Sequence, residues 1–247
     1  MISPPIQQAK TNEKISGELR SPGLLAKHPL IGVMLFLLGS LIFGLLAYYV
    51  HYNGALAQWD LALVTRVHEM ALKSPAWMKN IMLAGFYIGL QGYILLGLLL
   101  GLYFLFKKFW EEFFMVAILF AGEGVLWHYY SAYFARMRPE FTDRIGSVLH
   151  YPSFPSGHTF SAVVGCGLIA YLLVPIISSR FWKAMVIILA VLMVLFISYS
   201  RFFMGAHYLT DIVAGLAAGV AWTSLVIMSI ELLYKKGDNK HVEKNEI

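Results

Sequence analysis

The sequence predicts an all-α, polytopic membrane protein: six transmembrane helices in a bundle, both termini cytoplasmic, and an interfacial helix in the first outer loop. Three observations predict it. Hydrophobic residues make up 59% of the 247 and charged ones only 13%, where a soluble domain carries about 25% charge. Mean hydropathy is +0.67. Apolar runs long enough to cross a bilayer as helix recur along the whole chain.

The polar segment 1–28 reads as a disordered cytoplasmic tail. The run behind it, about 30–50, is long enough to span, so it is expected to be a membrane helix rather than a cleavable signal. Further spans are expected at about 82–106, 113–130, 159–178, 183–200 and 212–234. Residues 29–234 then form one six-helix domain, and 235–247 a cytoplasmic C-terminal tail. The connection at about 51–79 is more than linker. Trp59, Leu63, Val67 and Met70 share one helical face, while Asp60, Arg66, Glu69 and Lys73 fall largely elsewhere. Two readings stand equal: a helix lying flat at the membrane surface, or an ordinary packing helix.

Orientation follows from Lys and Arg in the short connections. One side holds Lys10, Lys14, Arg20, Lys27, Lys107, Lys108, Arg180, Lys183, Lys235, Lys236, Lys240 and Lys244. The other holds Arg66, Lys73, Lys79, Arg136, Arg138, Arg144 and Arg201. The larger set marks the cytoplasm. The net charge of +5 is scattered over helix ends rather than gathered on a face, which argues against a nucleic-acid partner. Cys166, alone in an apolar run, has no second cysteine for a disulfide or zinc site and reads as a packing residue.

Two connections on the less basic side carry the chemistry. The first runs from FARMRPE (Phe134–Glu140) to PSGH (Pro155–His158); the second is SRFFMGAHYLTD (Ser200–Asp211). Charge at the membrane edge is costly unless it faces a polar cavity, so it defaults to function. Ser156, Gly157 and His158 open a span, where unpaired N–H groups and the helix dipole favour a phosphate; Gly157 lets a ligand approach the backbone. Arg138 and Arg201 suit bidentate contact with phosphoryl oxygens. His207 and Asp211 are four apart, so on a helix the carboxylate can accept Nδ1–H and leave Nε2 as a nucleophile. His158 is then available to protonate a leaving group.

These residues resemble the type 2 phosphatidic acid phosphatase superfamily, whose signature is Lys-x6-Arg-Pro, Pro-Ser-Gly-His and Ser-Arg-x5-His-x3-Asp. The second part is matched by Pro155–His158, the third by Ser200, Arg201, His207 and Asp211, the first by Arg138-Pro139. The resemblance covers about 30–234. It implies a membrane phosphatase without cofactor or metal, working through a phosphohistidine on His207, with His158 as general acid and Asp211 as orienting carboxylate. It also implies a lipid phosphate as substrate: undecaprenyl pyrophosphate, phosphatidylglycerophosphate or phosphatidic acid. A lipid phosphotransferase and a non-catalytic lipid-phosphate binder or transporter are the alternatives.

One departure stands out: the family Lys falls at Ser131. Arg136 reaching in, a less charged substrate, or weakened activity are three ways to accommodate it. Arg136 and Arg144 otherwise read as membrane-surface charges. Glu123, between Gly122 and Gly124, is either a partner of a site residue or, the preferred reading, a neutral acid hydrogen-bonded between helices. His128 reads equally as a supporting or an interfacial residue.

Overall fold

All six apolar runs are helical in the computed structural model, which describes residues 24–52, 56–143, 145–146 and 151–245. After a single turn at Leu24–Lys27, α1 spans Pro29–His51, with Pro29 in the first turn where its missing N–H costs nothing. The helix in the first loop, α2, covers Leu56–Lys73. Four spans follow: α3 (Ala76–Lys107), α4 (Trp110–Phe134), α5 (Gly157–Ile176) and α6 (Arg180–Phe203). The last helix, α7, runs Leu209–Asn245, of which Leu209–Leu233 is apolar enough to cross the membrane. It continues where a tail was expected after residue 235.

The spans begin or end a few residues outside the expected limits because their ends are held by protein as well as by lipid. The start of α3 is the clearest case: Met78, Met82 and Leu83 pack on Ala71, Phe203 and Met204, so the helix begins at Ala76 rather than near 82. Within α3, a π-helical turn at Ile88–Gly92 breaks the α pattern beside the fourth span.

Without water between apolar helices, packing rests on close contact rather than on hydrophobic burial. Small residues supply it. A Cβ at Gly39 of α1 would lie 2.7 Å from the Ala217 carbonyl of α7, and one at Gly215 would lie 2.6 Å from the Ser156 carbonyl. The outward faces are apolar instead: Leu37, Leu38, Leu41 and Leu45 of α1 and Leu189, Val191, Leu192 and Leu195 of α6 are exposed to the bilayer. The centre is α7, which packs against α1, α4 and α5.

The face of α2 that meets the protein is Asp60, Val64, His68 and Ala71, spaced on one stripe. Leu63 and Val67 are only partly buried beside it, while Trp59 and Met70 are exposed. The packing reading therefore holds, on a stripe one position along from the apolar face expected. The helix docks on the bundle and keeps apolar side chains free on its far side.

Candidate active site

The ends of α4 and α6 and the starts of α5 and α7 meet at one end of the bundle. Pro155–His158 and His207–Asp211 are joined there by the backbone, since the Ser156 N–H donates to the Asp211 carbonyl at 3.0 Å. Between Phe203 and His207 the chain turns at Gly205, whose φ is +66; a Cβ there would also strike Phe141 at 2.8 Å.

His207 is only 1% exposed. Its Nε2 lies 3.0 Å from an Arg138 terminal nitrogen, and its Nδ1 lies 2.8 Å from the Ser153 carbonyl. A guanidinium can only donate, so Nε2 is the acceptor and Nδ1 carries the proton, which it gives to Ser153. Burial, then the charges of Arg138 and Arg201, hold the His207 pKa well below the ordinary imidazole value, although the Ser153 bond pulls the other way. The ring is neutral at pH 7, with its Nε2 lone pair directed at Arg138.

Asp211 does not hold the Nδ1–H. It stands 3.6 Å from Nδ1, and its oxygens are taken elsewhere: Oδ1 accepts from Arg136 at 2.6 Å and Oδ2 from the Tyr208 N–H at 2.9 Å. The second bond is the reciprocal half of a capping box at the start of α7. The i,i+4 spacing was read correctly as proximity, but a backbone carbonyl from another loop lies closer to the ring.

Arg138 donates to three backbone carbonyls: Nε to Tyr151 at 2.7 Å, and the terminal nitrogens to Ala206 at 2.7 Å and Pro152 at 3.2 Å. It thereby fastens both connections around His207. Arg201, 2% exposed, lies over the Phe86 ring at 4.8 Å, and its Nε meets no acceptor among the described residues. His158, whose ring centroid lies 5.0 Å from that of Phe86, also has a buried Nε2 without a partner there. His158 lies within electrostatic range of Arg201, His207 and Arg138. Buried donors are normally paired. A guanidinium N–H and an imidazole nitrogen without partners beside a neutral histidine leave room for an anionic ligand.

Arg136 is neither a surface charge nor a ligand reaching into the site. It bridges Asp211 and Asp60 of α2 (3.0 Å), donates to Thr210 at 2.7 Å, and lies over the Tyr208 ring at 4.0 Å. Burial would lower its pKa, but the two carboxylates outweigh that and raise it. Asp60 is fully buried and also accepts the Thr210 hydroxyl and N–H. Its importance was invisible in sequence, because its partners lie at least 76 residues away. An acidic residue in register with Val64 and Ala71 was the one available signal. Arg144 lies outside the described residues.

Two residues expected to bind phosphate are placed differently. Ser156 spends its N–H on Asp211, and its Oγ accepts from Thr159 at 3.1 Å, so it ties loops together. Gly157 does border the cavity, but a Cβ there would lie 2.7 Å from Trp127 Nε1; the close approach is made by that indole. Ser131 is buried on α4. With Arg136 engaged, Arg138 and Arg201 are the cations that act most on His207 among the described residues.

A cavity of about 880 Å³ opens from Arg138, His158 and His207 and descends between α3 and α4 to Leu105 and Phe113. Its wall is almost wholly apolar, as a lipid chain requires. His128 sits on this wall, and Glu123 is part of it. Among the described residues no three His, Cys, Asp or Glu side chains cluster as a metal site would need.

Residues 108–234, just over half the chain, match the PAP2 superfamily. The chain belongs to that family. Phosphatidylglycerophosphatase B of Bacillus subtilis (strain 168) is 29% identical over 191 residues, covering 75% of this chain and 90% of that protein. The crystal structure of a transmembrane PAP2-type phosphatidylglycerolphosphate phosphatase from Bacillus subtilis superposes with a TM-score of 0.66 and 28% identity. That match covers 85% of this chain and 96% of the other. Six apolar helices in a PAP2 fold make this an integral membrane protein.

Proposed function

We propose that the protein is a membrane phosphatase that removes a terminal phosphoryl group from a lipid, without a metal, through a phosphohistidine on His207. The observation that carries this reading is the tautomer of His207: a buried, neutral ring that keeps its lone pair on Nε2, on a residue that borders the same cavity as His158. In the first step Nε2 forms a bond to phosphorus as the bond to the lipid oxygen breaks, and that oxygen leaves with a proton from His158. Water then attacks phosphorus, gives a proton back to His158, and frees phosphate and His207. Arg138 moves from Nε2 to a phosphoryl oxygen as substrate enters, and Arg201 stabilises another; charge on these oxygens is where such a reaction needs help. Asp211 acts indirectly, through the cap of α7 and the Arg136 bridge.

The relatives' names support phosphatidylglycerophosphate as substrate, with phosphatidic acid and undecaprenyl pyrophosphate to be compared. The Lys and Arg distribution supports a site on the outer face, with both termini in the cytoplasm. Ser131 in place of the family Lys favours a second reading, a lipid-phosphate binder that does not turn over. Losing one charge-assisted contact costs about 1.5–3 kcal/mol, one to two decades in rate, so slower catalysis is the better expectation. The test is phosphate release from these lipids in detergent with chelator present, together with capture of a phosphohistidine. Wild-type protein should do both and His207→Ala neither. Unchanged turnover in that variant would refute the assignment, and binding without release would favour the second reading.

A further inference from the structure

The apolar cavity has one polar interruption. Glu123 of α4, 5% exposed, faces it between Phe120 and Trp127 and accepts a hydrogen bond from Ser161 Oγ at 2.9 Å. The hydroxyl of Tyr93, from α3, is buried beside the same carboxyl, within interaction range of it. The reaction described above uses none of these groups. All three line the cavity through which the lipid must pass.

Their depth is informative. Ser161 follows His158 by three residues on α5, about 4.5 Å further along the helix axis, roughly one helical turn. On a phosphate ester of glycerol, the oxygen on the carbon next to the phosphate-bearing carbon is about four bonds from phosphorus, on the order of that same turn. A polyprenyl phosphate has only hydrocarbon there. Hydrocarbon against Glu123 and Tyr93 would leave the remaining lone pairs of a buried carboxyl facing nothing polar, which sites of this kind penalise.

We propose that Glu123, Tyr93 and Ser161 form a specificity site for a hydroxyl group vicinal to the scissile phosphate, so that the substrate is a lipid ending in a glycerol phosphate. The inference rests on the phosphatase reading. A carboxyl already receiving Ser161 offers an acceptor, and the Tyr93 hydroxyl offers a donor. A hydroxyl uses both, whereas an ester oxygen uses only the donor. Glu123 is a binding residue on this account, not part of the phosphoryl-transfer machinery.

The test compares two synthetic lipids: phosphatidylglycerophosphate, and the same compound with propanediol replacing the terminal glycerol, which removes only the hydroxyl. Wild-type protein should prefer the first by about tenfold or more in kcat/KM. Tyr93→Phe, which deletes a single oxygen, and Glu123→Leu should bring that ratio close to one. The change in ratio should come from a lower kcat/KM on phosphatidylglycerophosphate, with kcat/KM on the propanediol lipid falling by less. Equal wild-type rates on both lipids would overturn the inference alone, as would variants that slow both in parallel. Phosphatidic acid, with an ester in that position, should be the poorer substrate; parity with phosphatidylglycerophosphate would overturn the hydroxyl assignment. Release of phosphate from neither lipid would overturn the phosphatase reading and this inference with it.

Discussion

Asp60→Ala should destabilise the protein more than any other single change on α2. The carboxylate is fully buried, holds Arg136 at 3.0 Å, and accepts both the hydroxyl and the N–H of Thr210. Removing one partner of a buried ion pair costs about 3–5 kcal/mol, because the other charge stays behind uncompensated. Arg136 keeps Asp211, and its side chain retains 14% exposure, so the lower end, about 3 kcal/mol, is the working figure. In a chain of this size that corresponds to a fall in melting temperature of about 6–12 °C. The assay is thermal unfolding of the purified protein in detergent. Activity should fall as well, since Arg136 carries the disturbance to Asp211 and the start of α7. Arg136→Met added to Asp60→Ala should cost less than the sum of the two single changes, because the double variant strands no cation beside an empty site. A melting temperature for Asp60→Ala within about 2 °C of wild type would refute the reasoning.

Two further outcomes can be checked. Gly157→Ala puts a methyl group 2.7 Å from Trp127 Nε1 and should push the indole off the Pro155 carbonyl, which it now meets at 3.3 Å; a shift in tryptophan fluorescence together with reduced turnover would be the expected result, and an unchanged spectrum would contradict it. The pKa of His207 is lower in the folded protein than in the unfolded chain, so above pH of about 6.5 both states are neutral and the group contributes nothing to pH dependence. Below that pH the unfolded chain gains a proton that the folded one refuses, and stability should fall by up to about 1.4 kcal/mol per pH unit. Melting temperatures from pH 8 to 5 should therefore drop more steeply for wild type than for His207→Gln, and parallel curves would exclude the effect.

The residues around the cavity show which kinds of contact a sequence reveals. His158 and His207 were recognisable because each lies in a fixed local pattern, and both patterns sit at helix ends on one side of the membrane. Asp211 was recognisable as a neighbour of His207, yet its partner was misjudged. The four-residue spacing says that two side chains are near, whereas the bond goes to whichever acceptor is closest, here the Ser153 carbonyl at 2.8 Å rather than the carboxylate at 3.6 Å. Arg136 was harder still. Beside Arg138 in the sequence it looks like a second phosphate ligand, but the turn after α4 points it toward Asp60 and Asp211. Glu123 was flagged by its cost in the membrane, and the structure supplies the reason that it is tolerated, a hydrogen bond from the facing helix.

Hydrophobic run length by itself determined that this chain crosses a membrane six times, because a peptide in hydrocarbon has no economical alternative to a helix. Local spacing and helix order placed His158, His207 and Asp211 at one end of the bundle, while Asp60 joined them only through the packing of α2. Only the packed structure decided how those groups share their protons and charges. Hydrogen bonds across 54 to 150 residues of sequence depend on where separate helices end, and that is set by close contacts such as Gly215 against Ser156.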